Sequence, residues 1–198
     1  MGGIFAIERN GVVCVGGDTT RQYGHIKLYA NGEYNRRIKV FPSGIIVAAT
    51  GNINAIQRML LHDEWFELAE GEKFDKRFIV TKIVPRFYEA VETLHPWKPC
   101  EDELCEELEA GFIFVKDTDI YLMFGDLSVI KCNKMAAISE GFADIMMVTY
   151  ANSSKEEDPE RLVKKAFETV AKHNKCVSAY GEMVNNKDFT FKRMEDIR

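Results

Sequence analysis

The side chains able to do chemistry in this chain are a scattered set of hydroxyls, thiols, imidazoles and carboxylates. Asp18 ends an apolar run and is followed by Thr19 and Thr20. Locally it reads as a turn residue that caps a strand end through backbone hydrogen bonds. Arg37 precedes a second apolar run and reads locally as an ion-paired surface arginine. Thr50, Ser139 and Cys14 are the candidates for a nucleophilic hydroxyl or thiol. Cys14 lies within Val12-Val13-Cys14-Val15, where strand alternation makes it a small buried hydrophobe. No His or Lys adjoins it in sequence to lower its pKa. His95, Cys100 and Cys105 are separated by two four-residue gaps, which is not a zinc spacing. No metal site is therefore expected. His25, His62 and His173 have no paired spacing. No Gly-rich phosphate loop, Gly-x-Ser-x-Gly elbow or His-Glu-x-x-His helix occurs, and no cofactor is expected. The carboxylates of Glu101–Glu109 read as a solvated helical face rather than an acid/base pair.

The elements that must position these groups follow from periodicity. Ile4-Phe5-Ala6-Ile7 and Val12-Val13-Cys14-Val15 are apolar, β-prone runs joined by a turn at Asn10-Gly11, the strongest short hairpin signal. Residues 19–35 read as polar, with turn markers at Gly24 and Asn31-Gly32. Arg36 to Val40 and Ile45 to Ala49 form a second strand pair around Pro42-Ser43-Gly44. Asn52 is an N-cap for a helix with Ile53, Ile56 and Leu60 on one face. Ile79, Ile83, Phe87, Val91 and Leu94 give a second helix, kinked or started by Pro85. Residues 111–138 change to strand period with turns at Asp117-Thr118-Asp119 and Gly125-Asp126. Two helices follow, one from about Glu140 to Ala151 and one announced by Asp158-Pro159. Short strands near 176–184 and 189–191 close the chain. Strands and helices thus come in blocks, which favours antiparallel sheets layered with helices. Residues 1–198 read as a single domain.

Composition narrows the function classes. The chain has 198 residues, 46% hydrophobic and 29% charged, an ordinary globular balance. Its 26 Lys+Arg against 31 Asp+Glu give a net charge of −5, which argues against a dedicated nucleic-acid binder. No run approaches the ~20 apolar residues of a membrane span. The first residues carry no basic region, so no signal peptide is expected, and Ala6 does not fit a myristoylation site. Five scattered cysteines fit reduced thiols in a cytoplasmic protein.

Three motifs in this order resemble the proteasome β-subunit family and its bacterial ring-peptidase relatives. The first is Ile4 to Asp18, similar to the family's opening hairpin ending in Gly/Ala-Asp. The second is Arg37-Ile38-Lys39-Val40-Phe41 with Ile45-Ile46-Val47-Ala48-Ala49-Thr50-Gly51, similar to its Lys-Ile strand and small-residue loop. The third is Gly111 to Gly141, similar to its central meander leading to Ala-Ile-Gly-Ser-Gly. The resemblance covers nearly the whole chain. It implies an α+β fold, a four-layer αββα sandwich of two mainly antiparallel sheets flanked by helices, as in N-terminal-nucleophile hydrolases.

In that family the mature chain begins with a threonine. Its hydroxyl attacks a peptide carbonyl with help from its own α-amine. A lysine, an aspartate and backbone N–H groups support the reaction. By resemblance the nucleophile position falls on Gly2, exposed as the first residue if Met1 is removed. The supporting aspartate falls on Asp18 and the lysine on Arg37. The oxyanion glycine falls on Thr50 or Gly51, and the later serine and aspartate fall near Ser139 and Asn174. Thr19 and Thr20 resemble the segment lining the substrate channel, so Thr19, Thr20, Thr50 and Gly51 are the expected substrate-binding residues. Glycine carries no nucleophile, and arginine cannot relay a proton as lysine does. The expectation is therefore a non-catalytic or altered ring subunit. The alternative is an active peptidase or amidohydrolase that uses Thr50, Ser139 or Cys14. The resemblance further implies a homo-oligomer, dimer or ring. Its expected partners are a peptide or protein substrate, and a second proteasome-like subunit or an unfoldase. No nucleic acid or membrane partner is expected.

Overall fold

Asn10 and Gly11 both take left-handed backbone, φ 53° and 77°. Such a two-residue turn matches the twist of the strands it joins. It sets β1 (Ile4–Arg9) against β2 (Val12–Asp18), with Ile4 opposite Gly17 and Arg9 opposite Val12. The computed structural model describes residues 2–23, 26–29, 36–92, 97–99, 106–138, 143–173 and 177–197. After β2 come a hairpin of β3 (Thr20–Tyr23) and β4 (Ile26–Tyr29), then β5 (Ile38–Val40) and β6 (Ile46–Gly51). Helix α1 (Ile53–Leu61) follows, then α2 (Lys76–Phe78), a π-helical stretch over Ile79–Ile83, and α3 (Val84–Glu92). A small pair, β7 (Trp97–Pro99) with β8 (Glu106–Leu108), precedes the meander. The meander comprises β9 (Ala110–Lys116), β10 (Asp119–Met123), β11 (Val129–Cys132) and β12 (Met135–Ile138). Helices α4 (Ala143–Ala151) and α5 (Pro159–His173) lead to β13 (Gly181–Asn185) and β14 (Lys192–Arg193).

The strands form two five-stranded antiparallel sheets, in the orders β12-β1-β2-β13-β14 and β11-β10-β9-β6-β5. Period-two alternation gives each sheet two apolar faces. Ile4, Ala6, Val13 and Val15 meet Ile46, Ala48, Ile113, Val115, Ile120 and Leu122 between the sheets. The outward residues of the first sheet, Phe5, Ile7, Cys14 and Met183, pack against Leu162, Val163, Ala166, Phe167 and Val170 of α5. Those of the second sheet, Val47, Ala49, Phe112, Phe114 and Tyr121, pack beneath α1 and α3. The result is the expected αββα sandwich. Gly16 lets α5 lie close to β2: a Cβ there would overlap Val163 Cγ1 and sit 3.0 Å from Phe167 Cε2.

Asn52 caps α1, its side chain accepting from the N–H groups of Asn54 and Ala55. Pro159 opens α5, with Asp158 accepting from the N–H of Glu160. Pro85 does not break its helix. The π-helical stretch just before it lets the Val84 N–H reach the Ile79 carbonyl.

Two local expectations fail. Residues 19–35 contain the β3–β4 hairpin instead of turns alone. Its strands are short and carry charged and polar residues, which masks their alternation. Within the acidic stretch, Glu106–Leu108 is a strand paired with Trp97–Pro99 rather than a helical face. Leu108 is buried, and its N–H donates to the Gly125 carbonyl at 3.0 Å. Sheet pairing there overrides the helix preference of glutamate.

Candidate functional site

Four chain segments converge where the two sheets meet at one end of the sandwich. Gly2 and Gly3 precede β1, Asp18 ends β2, Arg37 immediately precedes β5, and Thr50 lies near the end of β6. Each segment is anchored by its strand, so the positions of the polar groups are set by strand register and not by a loop. The structure brings Gly2, Asp18, Arg37 and Thr50 into one buried cluster. Asp18 is 1% exposed, Thr50 2% and Arg37 6%.

The cluster is internally hydrogen-bonded. Asp18 Oδ1 accepts from the Gly3 N–H at 2.9 Å, and Oδ2 accepts from the Ser178 N–H at 3.1 Å. Arg37 Nε donates to the Asp18 backbone carbonyl at 2.9 Å and lies 3.3 Å from Asp18 Oδ1. Arg37 Nη1 donates to Thr50 Oγ1 at 3.1 Å, and the Thr50 hydroxyl donates onward to the Gly2 carbonyl at 2.8 Å. Burial lowers the affinity of the Arg37 guanidinium for its proton, while Asp18 raises it again. The group remains a cation at any ordinary pH. Removing one member of such a buried pair leaves an uncompensated charge and costs ~3–5 kcal/mol.

Gly2 is buried against this pair. A Cβ added to it would overlap Asp18 Oδ1 and Arg37 Nη2 and would stand 2.8 Å from Arg37 Cζ. The space that a side chain at residue 2 would need is filled by the ion pair. The recess beside the pair, between Asp18, Arg37 and Glu182, holds about 10 Å³. That is room for no more than one water.

The other expected residues divide. Thr19 borders the cluster, its N–H and hydroxyl both directed at the Tyr180 carbonyl, at 3.2 and 3.3 Å. Thr20 begins β3, and its side chain lies outside the described residues. Gly51 pairs with Ala110 at φ 108°, and a Cβ there would overlap the Glu109 carbonyl, so only glycine fits. Ser139, Asn174 and the set His95, Cys100 and Cys105 lie outside the described residues. Cys14 sits in the core under α5, and burial pushes its thiol well above the ordinary range. It is therefore neither accessible nor a thiolate. Sequence reasoning missed the Ser178 amide, which orders Asp18 from a distant segment; a backbone donor leaves no trace in residue type. Of the two readings of Arg37, the local one as a surface arginine does not hold, since its head group is buried with Asp18.

The backbone is similar to those of solved proteasome-like proteins. It matches Thiobacillus denitrificans BPH with a TM-score of 0.69 at 17% identity, covering 92% of this chain and 96% of that one. It matches Anbu, an ancestral beta-subunit, from Yersinia bercovieri with a TM-score of 0.72 at 10% identity, covering 97% and 86%. A helical assembly of the Anbu complex from Pseudomonas aeruginosa matches with a TM-score of 0.68 at 11% identity, covering 92% and 80%. Neither a family model nor a curated protein matches the sequence. At these identities the likeness is one of fold: the chain has the proteasome-like N-terminal-nucleophile hydrolase fold.

Proposed function

We propose that this chain is a proteasome-like subunit whose terminal site does not perform threonine-type amide hydrolysis, and that it acts as a non-catalytic or altered member of an assembly. The observation that carries this reading is the occupancy of the space beside Gly2 by the Asp18–Arg37 pair. Attack on an amide at residue 2 needs a side-chain hydroxyl or thiol held near a base. Gly2 supplies no such group, and the neighbouring cation is arginine, which does not cycle a proton. The Thr50 hydroxyl cannot substitute, because its proton is donated to the Gly2 carbonyl within a site closed to solvent. Cys14 is enclosed in the core.

The site instead works as a lock on the start of the chain. Asp18 holds Gly3, Thr50 holds Gly2, and Arg37 joins the two holders. The assembly of a fold neighbour into a helical complex supports the oligomeric part of the reading. The test is turnover of a panel of fluorogenic peptides by the purified chain. The expected result is no cleavage above the buffer rate. Turnover abolished by a threonine-directed covalent inhibitor would overturn the reading.

A further inference from the structure

Grooves open on both helix layers. The one between α4 and α5 is apolar: Met147 and Val148 are 50% and 57% exposed on α4 beside it, and nothing in the structure shows what covers it. The one along α1 is polar. Helix α1 buries Ala55, Ile56, Met59 and Leu60 and turns Asn54, Gln57, Arg58 and Leu61 outward. Those four outward residues, with His62 at the helix end, line a groove of about 350 Å³. A cleft of that size holds a small molecule.

The polar groups on its wall are either uncommitted or fixed in orientation. Among the described residues, the Arg58 guanidinium and the Asn54 and Gln57 side-chain amides have no hydrogen-bond or ion-pair partner. His62 is held in two ways. Its ring lies parallel to the Trp65 indole, with centroids 4.3 Å apart and planes 4° apart, and its Nδ1 is 2.7 Å from Glu64 Oε1. The Glu64 carboxyl is held below its ordinary value, first by its own backbone N–H and then by His62, so it is an ionised acceptor. A carboxylate offers no proton, so the proton of this contact sits on Nδ1 and Nε2 is left for a ligand.

The charges around the groove favour an anion. Of the acids next to His62, Glu64 is taken by His62 itself and Asp63 pairs with Lys39. Lys39 Nζ also takes the Leu60 carbonyl at 2.6 Å, so a cation covers the negative end of α1. Arg58 remains as the uncompensated cation on the wall. A phosphate fits this donor set better than a carboxylate does. Its second proton leaves at about pH 6, so it can donate a P–OH to a bare Nε2 or accept through P–O⁻ from a protonated one. Its remaining oxygens suit the fork of an arginine. Leu61, 64% exposed, adds an apolar stretch of wall beside these groups.

We propose that the α1 groove binds a phosphate group through Arg58 and His62, carried by a small ester whose organic part packs on Leu61. The site lies on the helix layer, apart from the buried Asp18–Arg37 cluster, and does not depend on the assembly reading. The test is isothermal titration of the full chain with inorganic phosphate and with phenyl phosphate at neutral pH, against chloride at equal ionic strength. Circular dichroism confirms that each variant is folded. Both phosphates should bind saturably, and phenyl phosphate more tightly. R58Q should raise both dissociation constants at least about tenfold, the loss expected with one charge-assisted hydrogen bond, and H62Q should weaken both. Trp65 reports on the site itself: the chain has 2 tryptophans, so W97F leaves Trp65 as the only emitter, and its emission should change with occupancy. Heats no different from those of chloride, or binding unaltered in both R58Q and H62Q, would overturn the site. Equal affinity for the two phosphates would overturn the ester and assign the groove to the free ion. Should W97F not fold, the titrations of R58Q decide the matter, since Arg58 is exposed.

Discussion

The strand end around Gly2 and the helix face around Val148 are opposites in polarity and in exposure. At the strand end, a charged pair lies almost wholly buried with the hydroxyl of Thr50 linking Arg37 to the Gly2 carbonyl. At the helix face, apolar side chains stand in solvent beside an open groove. A buried polar cluster is costly to break and offers little to a substrate. An exposed apolar surface stabilises nothing until something covers it. The comparison teaches that this chain keeps its polar groups buried at the strand end and its exposed apolar side chains on the helix layer.

The comparison can be broken most sharply at Arg37. Arg37→Ala leaves Asp18 buried without its cation and should cost ~3–5 kcal/mol. For a chain of this size that is a fall in Tm on the order of 10 °C, readable by calorimetry. A Tm within about 1 °C of the parent would show that the cluster is solvated and not closed. Gly2→Thr comes next. Its Cβ must displace Asp18 Oδ1 and Arg37 Nη2, an overpacking that costs ~1–3 kcal/mol. The variant should be less stable in urea and should remain inactive on peptides. Adding Arg37→Lys to Gly2→Thr removes Nη2 from the overlap, so the double variant should lose less than the sum of the two single losses. Additive losses would show that the guanidinium is not what fills the space. Thr50→Val removes both the acceptor for Arg37 and the donor to the Gly2 carbonyl, and should cost ~1–3 kcal/mol. Hydrogen exchange at Gly3 and its neighbours should quicken in that variant.

The smallest effect on stability is expected at the other region. Val148→Glu alters an exposed side chain and should leave the unfolding free energy of the single chain within ~0.5 kcal/mol. A larger loss would mean that Val148 supports α4 itself. The contrast would then be one of stability at both ends and not of inward against outward function.

Much of the frame could be read from residue types. Asn10-Gly11 specified the first hairpin, Asn52 the start of α1, and Asp158-Pro159 the start of α5. The apolar, β-prone runs at Ile4–Ile7, Ile45–Ala49 and Gly111–Val115 already read as strands. Elements that depend on a neighbouring strand were not legible, because Glu106–Leu108 carries a helix-prone composition until Trp97–Pro99 pairs with it. At the site, motif order picked out Gly2, Asp18, Arg37 and Thr50. Their joint burial and the overlap that a Cβ at Gly2 would make are properties of packing between distant segments, and one-dimensional spacing does not encode them. Ser178 illustrates the same limit, since it acts through its amide alone.

The central claim is that no nucleophile operates at the Gly2 position beside Asp18 and Arg37. It is tested most directly by the intact mass of the untagged protein from its native host, measured after incubation with a threonine-directed covalent inhibitor. The account predicts a mass that carries no adduct. A mass showing cleavage to an N-terminal threonine, serine or cysteine, or an adduct at the first residue, would contradict it.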